Sequence, residues 1–204
     1  MIGLVDYGLG NIRAFENIYR RLAIPVAVIG KAQELESVER LILPGVGAFD
    51  WAMRRLNESG MRDALDHAVL EDHRPVLGVC VGMQMMANRS DEGDLAGLGW
   101  IDGEVRNLDR VPAVNGMQLP HMGWNDVSPV EGSALFNGLG TGARFYFLHS
   151  YYFAPTDDSS VLCGTRYGDS FASGVRSGNA WGVQFHPEKS HQWGIKLLKN
   201  FAEL

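Results

Sequence analysis

Apolar runs that do not alternate with polar residues recur through the first half of the chain. Ile2–Val5, Val26–Ile29, Leu41–Leu43 and Pro75–Val79 each read as a strand buried on both faces, the pattern of a parallel sheet covered by helices. Between them the period changes. From Asn11, a good N-cap, the apolar positions Ile12, Phe15, Ile18, Tyr19 and Leu22 follow at spacings of three and four. Met61, Leu65 and Val69 repeat at i, i+4 and i+8, which predicts a second helix packed on the sheet. Gly8-Leu9-Gly10 and Pro44-Gly45-Val46-Gly47 read as turns.

The second half is patterned differently. Phe145–Leu148, Val161–Gly164, Phe171-Ala172 and Trp181–Phe185 are short alternating strands punctuated by Gly, Pro and Asn, which predicts antiparallel hairpins added to the same sheet. Trp193, Leu197, Leu198 and Phe201 then share one face of a C-terminal helix. The expected fold is α/β, one domain over residues 1–204, with a mixed, largely parallel central sheet flanked by helices. There is no repeat and no low-complexity linker.

Composition narrows the function classes. Hydrophobic residues at 46% and charged residues at 21% are ordinary for a globular chain and argue against disorder. A net charge of −6 supplies no basic footprint, so neither nucleic acid nor an anionic membrane is expected as a partner. No apolar run approaches the roughly 18 residues of a membrane span. Met1–Asp6 reads as a first strand and not as a signal peptide, so the expected location is cytoplasmic. Cys80 and Cys163 are too few for a disulfide framework.

The chemistry concentrates in two segments. Gly78-Val79-Cys80-Val81-Gly82 follows an apolar strand and precedes the helical stretch Met83–Met86, the G-x-nucleophile-x-G pattern of a strand-to-helix elbow with sulfur at its apex. Small neighbours let the backbone close behind such a nucleophile, and a helix N-terminus favours a thiolate. The Val81 amide is then placed to bind an oxyanion. Cys163 lies in an apolar run without an elbow or a companion base, so it reads as a buried structural residue.

Of six histidines, His67 and His73 fall in a charged helical stretch and read as surface residues. No metal-ligand spacing occurs, and neither metal nor cofactor is expected; Gly8-Leu9-Gly10 never completes a dinucleotide-binding glycine motif. His186 closes the strand Trp181–Phe185 and is followed by Pro187-Glu188. In an extended chain residues two apart face the same side, so Glu188 is expected to orient the His186 imidazole, which in turn serves the Cys80 thiol. Taken alone, the segment reads by default as a strand-end turn; the Cys80 elbow in the same chain puts the catalytic reading ahead.

Gly78–Gln84 together with Gln184–Glu188 resembles the two signature segments of the class I, or triad, glutamine amidotransferases, whose fold is flavodoxin-like. Pro44–Gly47 resembles the loop that supplies a second oxyanion amide in that family. Val81 stands where the family more often has leucine, a change that leaves the amide in place. Within the class, Asp6–Asn11, Leu43–Phe49, Pro120–Asn125, His149–Tyr152 and Pro187–Ser190 resemble the glutaminase subunits of imidazole glycerol phosphate synthases. Asn11–Phe15 departs somewhat from that pattern.

The resemblance implies a hydrolase with Cys80 as nucleophile, His186 as acid and base, and Glu188 as orienter. It implies an oxyanion hole from Val81 and from Val46 or Gly47, with Gln84 holding the substrate glutamine. It also implies a heterodimer with a (β/α)8 synthase (cyclase) subunit, which receives ammonia through an internal tunnel for histidine biosynthesis as part of a lyase complex. Asn11, Met122, Trp124 and Lys189 are the expected interface residues, though Trp124 is equally a core residue on this reading. The alternatives are the glutaminase of a different amidotransferase, a free-standing thiol hydrolase, and a flavodoxin-like sensor in which Cys80 is only oxidisable.

Overall fold

The computed structural model of the chain describes residues 1–114, 116–140 and 142–204. Five strands run parallel: β1 (Ile2–Val5), β2 (Val26–Ile29), β3 (Arg40–Gly45), β4 (Val76–Cys80) and, much later in the chain, β13 (Ala180–Val183). The helices between the first four are α1 (Ile12–Arg21), α2 (Phe49–Glu58) and α3 (Arg62–Asp66), the last continuing as a wider turn through Glu71. A single turn, α4 (Val81–Gln84), follows β4, and α5 (His191–Glu203) ends the chain.

The large sheet has the order β2-β1-β3-β4-β13 and then continues antiparallel through β12 (Asp169–Ser177), β11 (Val161–Tyr167) and β8 (Ser128–Pro129). Buried residues fill β1 and β4 throughout, as their unalternating apolar runs predict. β13 is buried throughout as well and pairs in parallel with β4, although its sequence reads as an alternating strand of an antiparallel hairpin. β2 carries the same kind of sequence yet lies at the sheet edge, where Val28 is exposed.

Two small sheets depart from the sequence expectation of hairpins on a single sheet. One pairs β7 (His121–Asp126) with β9 (Arg144–His149); the other orders β10 (Tyr151–Pro155), β6 (Gly103–Asn107) and β5 (Arg89–Ser90). Alternation along a strand reports which face is buried and says nothing about the pairing partner. The helix expected over Met83–Met86 is also shorter, since α4 ends at Gln84. Asn11 precedes α1 without capping it through its side chain.

The strand order reverses between β2-β1 and β3-β4, so the loops after β1, β3 and β4 meet at the carboxyl edge of the sheet. In open α/β sheets that crevice is where ligands bind.

Candidate active site

Cys80 is the last residue of β4, with φ 56° and ψ −115°, a conformation costly for a residue bearing a Cβ. Two glycines make the turn possible. A Cβ on Gly82 would sit 1.9 Å from the Leu43 carbonyl oxygen of β3, and one on Gly78 would sit 2.8 Å from the Gly82 oxygen. The backbone of α4 thus closes directly onto β3, and the cysteine is held at the apex.

β13 pairs with β4 in parallel, Gly182 opposite Gly78 and Val183 opposite Val79, and this register carries the following segment to Cys80. The strand stops at Val183, so His186 is not in extended continuation of it as the sequence suggested. Its main chain is pinned elsewhere: His186 N donates to the Tyr146 carbonyl at 2.9 Å, and Ser190 Oγ donates to the His186 carbonyl while accepting from Tyr146 N. Beneath it Phe185 stacks on Phe145, ring centroids 4.1 Å apart.

Pro187–Lys189 form one 3-10 turn with proline at its start. That turn, and not an extended i, i+2 pair, brings Glu188 to the imidazole. His186 Nδ1 donates to Glu188 Oε1 at 2.8 Å, and both side chains are almost fully buried. The second carboxylate oxygen has no hydrogen-bond partner among the described residues. Burial alone would lower the His186 pKa, but its interactions with the Cys80 sulfur and the Glu188 carboxylate outweigh that, pushing it up to about 9. At neutral pH the geometry therefore favours an imidazolium flanked by two acids.

A cavity of about 300 Å³ opens at this point, lined by Cys80, Val81 and Gln84, by Val46 and Gly47, by Glu92, by Pro120 and Leu148–Tyr151, and by His186 and Lys189. Val46 and Gly47 reach it because β3 pairs with β4 so that Gly45 stands opposite Cys80. A wider groove bordered by residues of the 127–142 region has Glu131 as its only charged lining side chain among the described residues, with neither cysteine nor histidine.

The structure brings together Cys80, His186, Glu188, Val46, Gly47, Val81 and Gln84. Gln84 is buried, donating from Nε2 to the Tyr151 carbonyl at 3.1 Å and to Gln184 Oε1 at 3.0 Å. Lys189 lines the cavity mouth and lies over the Tyr146 ring. Met122 is 59% exposed and Trp124 39% exposed, the latter stacked on His191, which places Trp124 at the surface and not in the core. Asn11 is exposed but borders a separate groove beside Gly8 and Gly10. His67 and His73 are exposed, and Cys163 is buried, as their contexts predict.

Three further residues at the site are not singled out by the sequence; Gln184 and Tyr7 stand in segments that carry the family resemblance, whereas Glu92 has no signal at all. Glu92 lines the cavity and accepts from the Phe49 amide at the start of α2 (2.8 Å); burial holds its carboxyl above the usual range, against that hydrogen bond. It stands in Arg89–Asp94, a run without periodicity or motif. Gln184 reaches Cys80 Sγ through Nε2 at 3.8 Å, and Tyr7 donates to the Pro44 carbonyl at 2.8 Å. Each such contact joins segments far apart in the chain.

A strained cysteine elbow, a buried His-Glu pair and this strand order define a class of protein. The chain belongs to the class-I glutamine amidotransferases, whose family model matches residues 4–204. More particularly, it is 58% identical, over the full length of both chains, to the imidazole glycerol phosphate synthase subunit HisH of Bdellovibrio bacteriovorus, and 45% identical over full length to that of Leptospira interrogans. Among solved structures it resembles a glutamine amidotransferase crystal structure with a TM-score of 0.76 at 22% identity, covering 100% of this chain and 99% of the other. It resembles PurLQS from Thermotoga maritima with a TM-score of 0.73 at 18% identity, covering 99% and 97%. These two likenesses establish the fold.

Proposed function

We propose that the chain is the glutaminase subunit of an imidazole glycerol phosphate synthase, hydrolysing glutamine to glutamate and ammonia for a synthase subunit. The observation that carries this reading is the buried His186 imidazole between the Glu188 carboxylate and the Cys80 sulfur at a strained elbow.

The Cys80 thiolate attacks the side-chain amide carbon of glutamine, and the amide C=O electrons move onto oxygen. The Val81 amide and one from Val46 or Gly47 stabilise that oxyanion. Losing one such donor costs roughly 3 kcal/mol in the barrier. His186 gives its proton to the departing nitrogen, ammonia leaves as the C–N bond breaks, and a thioester remains. Water, losing a proton to His186, then hydrolyses the thioester to glutamate and restores the thiolate. Glu188 holds the imidazole in one orientation throughout. Gln84 and the half-buried Glu92 carboxylate suit the amino-acid end of the substrate, the carboxylate pairing with its α-ammonium.

The partner on this reading is a (β/α)8 synthase subunit that takes up ammonia through an internal tunnel. Met122 and Trp124 project from the same side of β7, opposite Leu148 and Tyr146 of β9, and Leu148 and Lys189 border the cavity mouth. This exposed apolar patch beside the reaction centre suits a docking surface. Asn11, in its separate groove, is the least supported of the interface residues.

Ammonia release from glutamine, measured with and without the cognate synthase subunit and its nucleotide ligand, tests the reading. Partner-dependent turnover that disappears in Cys80→Ala is the expected result. Full activity of the isolated chain points to a free-standing hydrolase, and silence under every condition overturns the proposal.

A further inference from the structure

Two histidines outside the triad lie buried beside the cavity, and His149 is part of its lining. His121 of β7 and His149 of β9 are cross-strand partners, and His121 Nδ1 lies 2.9 Å from His149 Nε2. His149 Nδ1 is in turn 2.8 Å from the Tyr151 carbonyl oxygen, and Asn125 Nδ2 is 3.2 Å from His121 Nε2.

The positions of the protons follow from the ends of this chain. A carbonyl oxygen only accepts, so His149 carries its proton on Nδ1. Its Nε2 lone pair must then accept, so His121 also carries its proton on Nδ1. His121 Nε2 accepts from Asn125, whose other amide hydrogen goes to the Arg166 carbonyl at 2.9 Å. Both imidazoles are neutral, and every donor in the relay points the same way, from β7 toward the cavity.

The relay ends where the chemistry begins. The Tyr151 carbonyl has two lone pairs; His149 fills one and Gln84 Nε2 the other. Gln84 also donates to Gln184, which reaches the Cys80 sulfur. Shape alone does not call for imidazoles here. His121 stacks between Phe147 and Tyr167, and His149 packs on Phe171, an environment in which a phenyl ring would bury no polar atoms.

We propose that His149 and His121 are positioning residues whose one-way hydrogen bonds hold the Tyr151 carbonyl, and through it Gln84, in the geometry that binds the glutamine skeleton. The inference rests on the glutaminase reading above. It assigns the pair to binding and not to proton transfer, since both His149 ring nitrogens are already engaged, Nδ1 with the Tyr151 carbonyl and Nε2 with His121.

The test uses acivicin, a glutamine-like alkylating agent, with the synthase complex and Cys80 labelling followed by mass spectrometry. Wild-type labelling at Cys80 establishes the glutaminase reading independently, so a failure there sinks that reading and not the relay alone. With labelling in hand, His149→Phe removes the hydrogen bonds to the Tyr151 carbonyl and from His121 and is expected to weaken half-saturation by roughly tenfold or more, while the maximal labelling rate changes less than about threefold. His149→Asn keeps a donor near the Nδ1 position and is expected to recover most of the affinity. If His149→Asn is as impaired as His149→Phe, or if only the maximal rate falls, the proposal is overturned. Imidazole nitrogen NMR of the wild-type complex supplies a readout that needs no variant: both rings should be neutral and Nδ1-protonated at pH 7. An Nε2-protonated or charged ring at either position also overturns it.

Discussion

His186 and Glu188 meet through a single 3-10 turn, Nδ1 to Oε1 at 2.8 Å, with both side chains nearly sealed from solvent. A carboxylate so placed fixes the imidazole's orientation and stabilises its charged form. Glu188→Gln is expected to lower the glutaminase rate in the synthase complex by at least about 10²-fold, as loss of an oriented acid-base group does. Steady-state ammonia release checks it.

The same pair has a signature in stability. The folded pKa of His186, about 9, lies above the ordinary histidine value near 6.5, so the folded state binds the proton more tightly. Its contribution is complete below about pH 6.5 and is lost as pH rises through about 9. The difference in unfolding free energy between wild type and Glu188→Gln is therefore expected to narrow between pH 6 and pH 10, by an amount on the order of 2–3 kcal/mol at most. Denaturant titrations at the two pH values measure it.

His121 and His149 behave in the opposite sense. Burial lowers them to about 4 and about 3, with the His149 ring lowered further by charge on His121 and His186. Here the unfolded state binds protons first, so stability is present above about pH 6.5 and is lost as pH falls toward 4. Thermal scans are expected to show this acid limb, and the double variant His121→Asn/His149→Asn should flatten it. An unchanged limb would assign the acid sensitivity to carboxylates.

Gly82→Ala drives a Cβ into the Leu43 carbonyl, a backbone atom that cannot swing aside. A destabilisation of at least about 2 kcal/mol is expected, with loss of activity as the elbow opens. Gly30→Ala, whose Cβ meets nothing within 4 Å, is the matched control and should unfold as wild type does.

Tyr7→Phe removes the hydroxyl that ties the Pro44 carbonyl to the loop after β1. Burial, with Cys80 nearby, keeps that phenol protonated and donating. The expected cost is about 1 kcal/mol, a fall of roughly 2–4 °C in melting temperature for a chain of this size. Turnover should fall by more than this stability loss explains, because Pro44 leads directly into Val46 and Gly47. Equal activity would remove Tyr7 from the site.

What the chain determined by itself is what lies within a few residues. The unbroken apolar runs of β1, β3 and β4 report burial on both faces, and the glycines around Cys80 report a turn that no side chain could share. His186-Pro187-Glu188 carries its own short-range contact, although the turn that makes it is helical because Ser190 and α5 fold back on it. Tertiary structure decided everything that joins distant segments. The pairing of β13 with β4 brings His186 and Glu188 to Cys80, the separate β7–β9 sheet sets His121 against His149, and Glu92 enters the cavity from a stretch with no pattern at all. Periodicity records the environment of each residue, which is local information. Which strand lies alongside which depends on loop closure and packing over the whole chain, and single positions do not encode it.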